Sequence, residues 1–405
     1  MLNRRHSRRA LPFRLIMVVV AALALLATAC GGDDTADEAE DAPASPADDE
    51  PADDEAADDE AADDDSTDIP DVIPIRFGTA GIVQTPAQSS YTSLPEILGF
   101  WEDVGLDLER LDFEGASAAA QALDAEQVDI AMFSTPPLFN LAERDENSTV
   151  TAVCTNITTP FSIPVVPADS DIETAADFEG RTIGVASLEH SQVPVVRAML
   201  GDAGGDPDSI TFVPTGQGAE AFTALDAGRI DVLALWDSAH ADVQNLGVEL
   251  RDIPSDFLSP ERVGFAAALN VRRADLDDPV MREGFVRVCR AHAMALAFAD
   301  ENPEAAVQAH WEVYPESKPT GIDDEAALAQ AVTVLNSRMA NMQPIDGRWG
   351  WSTPAQIEGA MELQILSGQL TELLDIDDVY TDELIDEIND FDEEAVREMA
   401  RNWTP

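Results

Sequence analysis

Nine side chains with the chemistry to meet a small molecule fall into short clusters: Thr79 and Gln84; Ser134 and Thr135; Ser187, His190 and Ser191; and Trp236 beside Asp237. The hydroxyls and the amide are neutral hydrogen-bond donors and acceptors. Ser187 and Ser191 would serve equally well as helix caps. Trp236 suits stacking on a planar ligand and Asp237 suits pairing with a ligand cation, although a core-packed tryptophan beside a solvated aspartate fits the same dipeptide. His190 reads as a polar lining residue rather than a base. Catalysis is poorly supplied: the chain has no Gly-x-Ser-x-Gly elbow, no Walker loop, no His-Glu-x-x-His and no Cys-x-x-Cys. No cofactor or metal site is therefore expected. Arg348-Trp349-Gly350-Trp351 could rim a cleft or pin C-terminal helices together.

These clusters follow apolar runs. Val72 to Phe77 reads as a strand stopped by Gly78-Thr79-Ala80-Gly81, Val104 to Leu111 as a strand, Ala116 to Ala125 as a helix, and Val128 to Phe133 as a buried strand ending at Ser134-Thr135-Pro136-Pro137. Alternating strands and helices predict an α/β domain with a largely parallel sheet, whose ligands meet the loops at strand carboxyl ends. Four such loops are expected: Gly78 to Gln84, Ser134 to Pro137, Ala186 to Gln192, and Trp236 to His240.

An internal echo doubles this unit. Residues 116–130 and 218–232 overlay at an offset of 102, placing Leu123-Asp124-Ala125 on Leu225-Asp226-Ala227 and Asp129 on Asp231. Ile75-Arg76-Phe77-Gly78 finds a looser counterpart in Thr182-Ile183-Gly184-Val185. Two related α/β units predict two lobes with a cleft between them. The proline-punctuated stretch Thr159 to Pro167 reads as a crossing between lobes, and Arg262 to Asn270 as the way back. Residues 72–166 are expected to open lobe 1, 167–258 to form lobe 2, and 259–405 to return to lobe 1. Helices are predicted over Val280 to Asp300, Pro303 to Tyr314, Asp323 to Asn336, Pro354 to Ser367 and Asp382 to Met399.

The 405 residues carry 79 acidic and 23 basic side chains, a formal charge of -56. That excludes a nucleic-acid binder resting on a basic surface. The first 30 residues hold five arginines and no acid, then an apolar run from Ile16 to Ala29 ends at Ala27-Thr28-Ala29-Cys30. This predicts an export signal over residues 1–29, too short to be a secure membrane span, with Cys30 as a lipidated mature terminus. Residues 30–71 are almost entirely Asp, Glu, Ala and Pro and read as an extended acidic linker. Cys154 and Cys289 could form one disulfide or remain two buried thiols.

Four stretches together resemble the solute-binding proteins of ABC importers, in the nitrate, sulfonate, taurine and pyrimidine-precursor (thiamine biosynthesis-like) group. They are Leu94 to Leu108, including Gly99-Phe100-Trp101; Ala122 to Ala131; Phe178 to Val185; and Ala224 to Val232. Glu126-Gln127 departs from the usual glycine before the first Val-Asp. The resemblance implies a type II periplasmic-binding-protein fold, two lobes closing at a hinge around one solute. It further implies a lipid-anchored monomer on the extracytoplasmic face that delivers its solute to a membrane permease. A ligand-sensing lipoprotein without transport, or a biosynthetic enzyme on the same fold, are the other functions such a chain could serve. Because the four loops hold no cluster of basic residues, a sulfonate or an aromatic heterocycle is expected in preference to nitrate.

Overall fold

The computed structural model describes residues 69–144, 149–188 and 190–405. The export segment, Cys30 and the acidic stretch as far as Asp68 lie outside them. Among the described residues, no helix is long and apolar enough to cross a membrane.

Among the described residues, ten strands form two sheets: β1 (Ile73–Ala80), β2 (Leu106–Phe113), β3 (Ile130–Ser134), β4 (Val150–Ile157), β5 (Val165–Pro167), β6 (Thr182–Val185), β7 (Thr211–Pro214), β8 (Val232–Ala234), β9 (Leu250–Asp252) and β10 (Ala267–Arg272). The first sheet has the order β2-β1-β3-β10-β4 and the second β7-β6-β8-β5-β9. Each is a parallel trio extended by two strands, the fourth running antiparallel to both neighbours. In each sheet that fourth strand, β10 or β5, is reached by a segment arriving from the other sheet. The two crossing segments are tied together: the Ile253 N–H donates to the Pro164 carbonyl and the Ala266 N–H to the Ile157 carbonyl, both at 2.9 Å.

The repeated helix and strand are real structural equivalents. The Ala116–Asp124 helix leads to β3 and the Gly218–Asp226 helix to β8, each through a turn residue at positive φ, Glu126 at 58° and Gly228 at 62°. Glycine takes that conformation freely, whereas glutamate adopts it at a cost. The Asp129 N–H donates to the Arg76 carbonyl (2.8 Å) and its carboxylate accepts from the Arg76 N–H (2.8 Å). Asp231 makes the same two bonds with Thr182, again at 2.8 Å. Arg76 is thus the equivalent of Thr182, which moves the looser strand match by one residue and superposes Gly78 on Gly184. Burial works against the charge of Asp129, but hydrogen bonds from Arg76 outweigh it and hold the carboxyl below its usual range.

The largest core lies between the first sheet and the C-terminal helices. The Pro279–Glu301 helix begins with Pro at its first position and with the Asp278 carboxylate accepting from Val280 and Met281, and crosses the sheet in its centre. It comes so close that a Cβ at Gly284 would lie 2.8 Å from Ile75 Cδ1. Cys154 on β4 and Cys289 on this helix are both buried in that core as neighbouring thiols. The helices Pro303–Val313, Asp324–Met339 and Pro354–Leu366 follow the sequence expectation closely. The last predicted helix does not run unbroken: it divides into Ile385–Ile388 and Glu393–Asn402. Between them Asn389 turns its amide to the Trp349 carbonyl, and Asp392 caps the second piece.

Candidate ligand-binding site

A cavity of about 370 Å³ opens between the two sheets, within the usual range for a small-molecule site. Its lining comes from the ends of β3, β6 and β8, from both crossing segments, and from the Pro354–Leu366 helix. This placement follows from the topology, since parallel strands deliver their following loops to one edge.

Of the nine side chains expected at a ligand, five line the cavity: Ser134, Thr135, His190, Ser191 and Trp236. Trp236 stands at the N-terminal boundary of the Asp237–Gln244 helix in extended conformation. Its indole stacks on the His190 imidazole with ring centroids 5.5 Å apart and planes 23° from parallel. Burial lowers the pKa of His190 and so favours the neutral ring. Ser191 occupies the cap position of the Gln192–Asp202 helix without a side-chain capping bond, and its Oγ lies 3.4 Å from His190 Nδ1. The Thr135 hydroxyl is already engaged, donating to the Phe265 carbonyl at 2.8 Å, and its N–H donates to the Ala266 carbonyl at 3.1 Å.

The other four lie outside the lining. Thr79 falls within β1, which continues three residues beyond the predicted stop, and its buried hydroxyl bonds to Asp112. Gln84 is buried and donates to the Gly81 carbonyl at 2.7 Å, folding its own loop. Ser187 receives the His190 N–H on its backbone carbonyl and serves the turn. Asp237, expected to meet a ligand cation, meets an internal one. Its carboxylate accepts from Arg338 Nε at 2.8 Å and Nη2 at 2.6 Å, and from Asn341 Nδ2 at 3.0 Å. Arg348-Trp349-Gly350-Trp351 does not rim the cavity: Trp349 is buried and donates to Glu393, while Arg348 lies over the Trp351 ring at 3.5 Å.

Several lining residues carried no sequence signal. Arg338, 5% exposed, projects from the Asp324–Met339 helix and sits 5.1 Å over the Phe161 ring. Burial opposes its charge, yet Asp237 raises its pKa above the ordinary value. Tyr91 and Phe161 add aromatic wall, and Gln192 donates to Ser162 Oγ at 3.1 Å. Phe161 could have been found, because it lies in the predicted crossing segment, and Gln192 because it closes one of the four expected loops. The titratable side chains on this lining are Tyr91, His190 and Arg338 among the described residues. Among the described residues, no carboxylate lines the cavity beside His190 to form a nucleophile and base pair.

The family described as NMT1/THI5 like matches residues 94–306. Among curated proteins there is no match. The chain is similar in structure to the putative periplasmic sulfonate-binding protein SsuA of a sulfonate ABC transporter from Methylobacillus flagellatus KT. That likeness has 16% identity and a TM-score of 0.53, and covers 83% of this chain and 98% of the other. The alkanesulfonate-binding protein SsuA from Xanthomonas axonopodis pv. citri, bound to MOPS, is similar with 17% identity and a TM-score of 0.52, covering 76% and 98%. The periplasmic aliphatic sulphonate binding protein SsuA from Escherichia coli has 16% identity and a TM-score of 0.53, covering 75% and 91%. Two mixed sheets of matching plan, joined by paired crossings beside an interlobe cavity, make the type II periplasmic-binding-protein fold, and the chain belongs to the NMT1/THI5-like family.

Proposed function

We infer that the chain is the extracytoplasmic substrate-binding component of an ABC importer. It captures a small organic solute of the sulfonate or pyrimidine-like class and hands it to a membrane permease, working as a monomer anchored by lipid at Cys30. The observation that carries this reading is the 370 Å³ cavity walled by both lobes at their two crossings. A solute held there touches both lobes at once, so binding and hinge closure are coupled. The lining favours binding over catalysis, because it offers aromatic faces and neutral hydroxyls and amides without an acid–base pair.

The test is a thermal-shift screen of the exported protein against sulfonates, pyrimidines, amines and inorganic anions. A solute at 100 times its Kd stabilises the folded state by about 2.7 kcal/mol, a rise of roughly 4 °C for a domain of this size. Trp236→Leu, which removes the stacked indole, is expected to weaken that solute at least tenfold by calorimetry, about 1.4 kcal/mol. No response to any class would refute the reading.

A further inference from the structure

The cavity has been built with its positive charge already paired and most of its helix-start amides missing or spent. Arg338 is the only cationic side chain on the lining among the described residues, and Asp237 holds it through both carboxylate oxygens at 2.6–3.0 Å. A fourth bond, from Asn341, fixes the carboxylate in place. A compact anion entering the cavity would compete with a carboxylate that is covalently part of the wall and already aligned. Such a pre-paid contact is hard for a free ligand to displace.

Helix N-termini are the other usual source of anion affinity, through their unpaired N–H groups. Four helices begin at this cavity among the described residues, Ala116–Asp124 and Pro136–Arg144 from the first lobe and Gln192–Asp202 and Asp237–Gln244 from the second. Ala116–Asp124 keeps its first amides, but it starts beside Glu114 and holds no basic residue. Pro136–Arg144 opens with Pro136 and Pro137, neither of which has an N–H. Gln192–Asp202 has Pro194 as its third residue, and its Val193 N–H is spent on the His190 carbonyl at 3.1 Å. At the start of Asp237–Gln244 the Asp237 N–H is spent on the Phe161 carbonyl at 2.8 Å and the Ser238 N–H on the Asp237 carboxylate at 2.6 Å. The Thr135 N–H and hydroxyl are likewise spent on the return crossing. The remaining walls are largely aromatic and aliphatic with neutral hydroxyls and amides between, and include Tyr91, Phe161, Phe265 and the Trp236–His190 stack. Outside the cavity, residues 72–405 hold 59 acids against 18 bases, a field that repels approaching anions at low salt.

We propose that this cleft selects uncharged, flat aromatic or heteroaromatic solutes and rejects sulfonates and other compact anions. The proposal rests on the solute-binding reading above and narrows it. Asp237 is its specificity-determining residue: it never meets the ligand, and it decides the ligand's charge by neutralising Arg338.

Benzenesulfonamide and benzenesulfonate test this directly, since they share shape and differ in charge. Titration calorimetry on the exported protein is expected to show the sulfonamide binding at least tenfold more tightly than the sulfonate. Asp237→Asn frees the guanidinium and is expected to raise sulfonate affinity at least tenfold. Circular dichroism accompanies this variant, because it leaves a buried cation without its partner. The double variant Asp237→Asn/Arg338→Gln buries no charge and is expected to gain no sulfonate affinity, and it decides the matter with the wild-type comparison should the single variant not fold. A sulfonate bound by the wild-type protein as tightly as the sulfonamide overturns the proposal and leaves the solute-binding reading standing. So does a folded Asp237→Asn protein that gains nothing, or a double variant that gains as much as the single. If neither probe nor any heterocycle binds any of these proteins, the proposal falls together with the reading beneath it.

Discussion

The guanidinium of Arg338 lies across both carboxylate oxygens of Asp237, although 101 residues separate them in the chain. Asp237 starts the helix that follows β8 of the second sheet, and Arg338 ends a helix packed on the first. The pair therefore joins the two lobes beside the hinge, where the Asp237 N–H also donates to the Phe161 carbonyl at 2.8 Å. Their side chains are only 6% and 7% exposed, so neither charge has water to fall back on.

Breaking this pair should be costly and strongly non-additive. Arg338→Met or Asp237→Asn alone is expected to destabilise the protein by about 3–5 kcal/mol, because each strands a buried charge. Replacing both should cost far less than the sum. Urea denaturation of the two single variants and the double variant measures the coupling, and simple additivity would show that the pair is not a unit.

Gly359 allows the Pro354–Leu366 helix to rest directly on the return crossing. A Cβ there would lie 1.8 Å from the Arg262 carbonyl oxygen, a backbone atom that cannot swing aside. Gly359→Ala is expected to cost about 1–3 kcal/mol as overpacking and to weaken ligand binding, since Val263 to Ala267 form part of the cavity wall. An unchanged melting temperature would contradict this.

Acid should weaken the fold well above the carboxylate range. Burial pushes His240, His292 and His310 down to about 4 in the folded protein, against about 6.5 when unfolded. His240 Nε2 also accepts the Leu235 N–H at 3.0 Å, a bond that its protonation would break. Between these limits the unfolded chain binds more protons, so stability rises with pH. The full contribution is present above about pH 6.5 and is lost as pH falls toward 4, at roughly 1 kcal/mol per unit for each histidine. Asp242, raised to about 6, works in the opposite direction, but it is one group against three histidines. Scanning calorimetry is expected to show the melting temperature falling steadily from pH 7 to pH 5, and a flat profile would be the contrary result.

The two cysteines should be silent in the native protein. Both are buried, and burial together with the adjacent Cys154 pushes the Cys289 thiol up, away from the reactive thiolate. Iodoacetamide is expected to modify neither before unfolding and both after unfolding without reductant, read by intact mass. Two missing adducts after unfolding would reveal the disulfide instead.

Much of the architecture could be read before folding was considered. Apolar periodicity located strands and helices, and the 102-residue echo revealed two related units. Its aspartates, Asp129 and Asp231, turned out to make identical backbone contacts. Five of the nine expected cavity residues came from one rule, that ligands meet loops after parallel strands. Thr79 failed that rule because its strand runs on to Ala80, paired with β2 over its whole length, and strand ends depend on a partner's reach.

What sequence alone determined was thus local: the repeated helix-to-strand units, the proline-marked crossing, and loops that reach the cavity. Only the tertiary structure decided the electrical character of the cavity. Periodicity reports which face of an element is buried, and it carries no information about which distant charge will be buried opposite. Asp237 looked available to a ligand until the fold brought Arg338 to it.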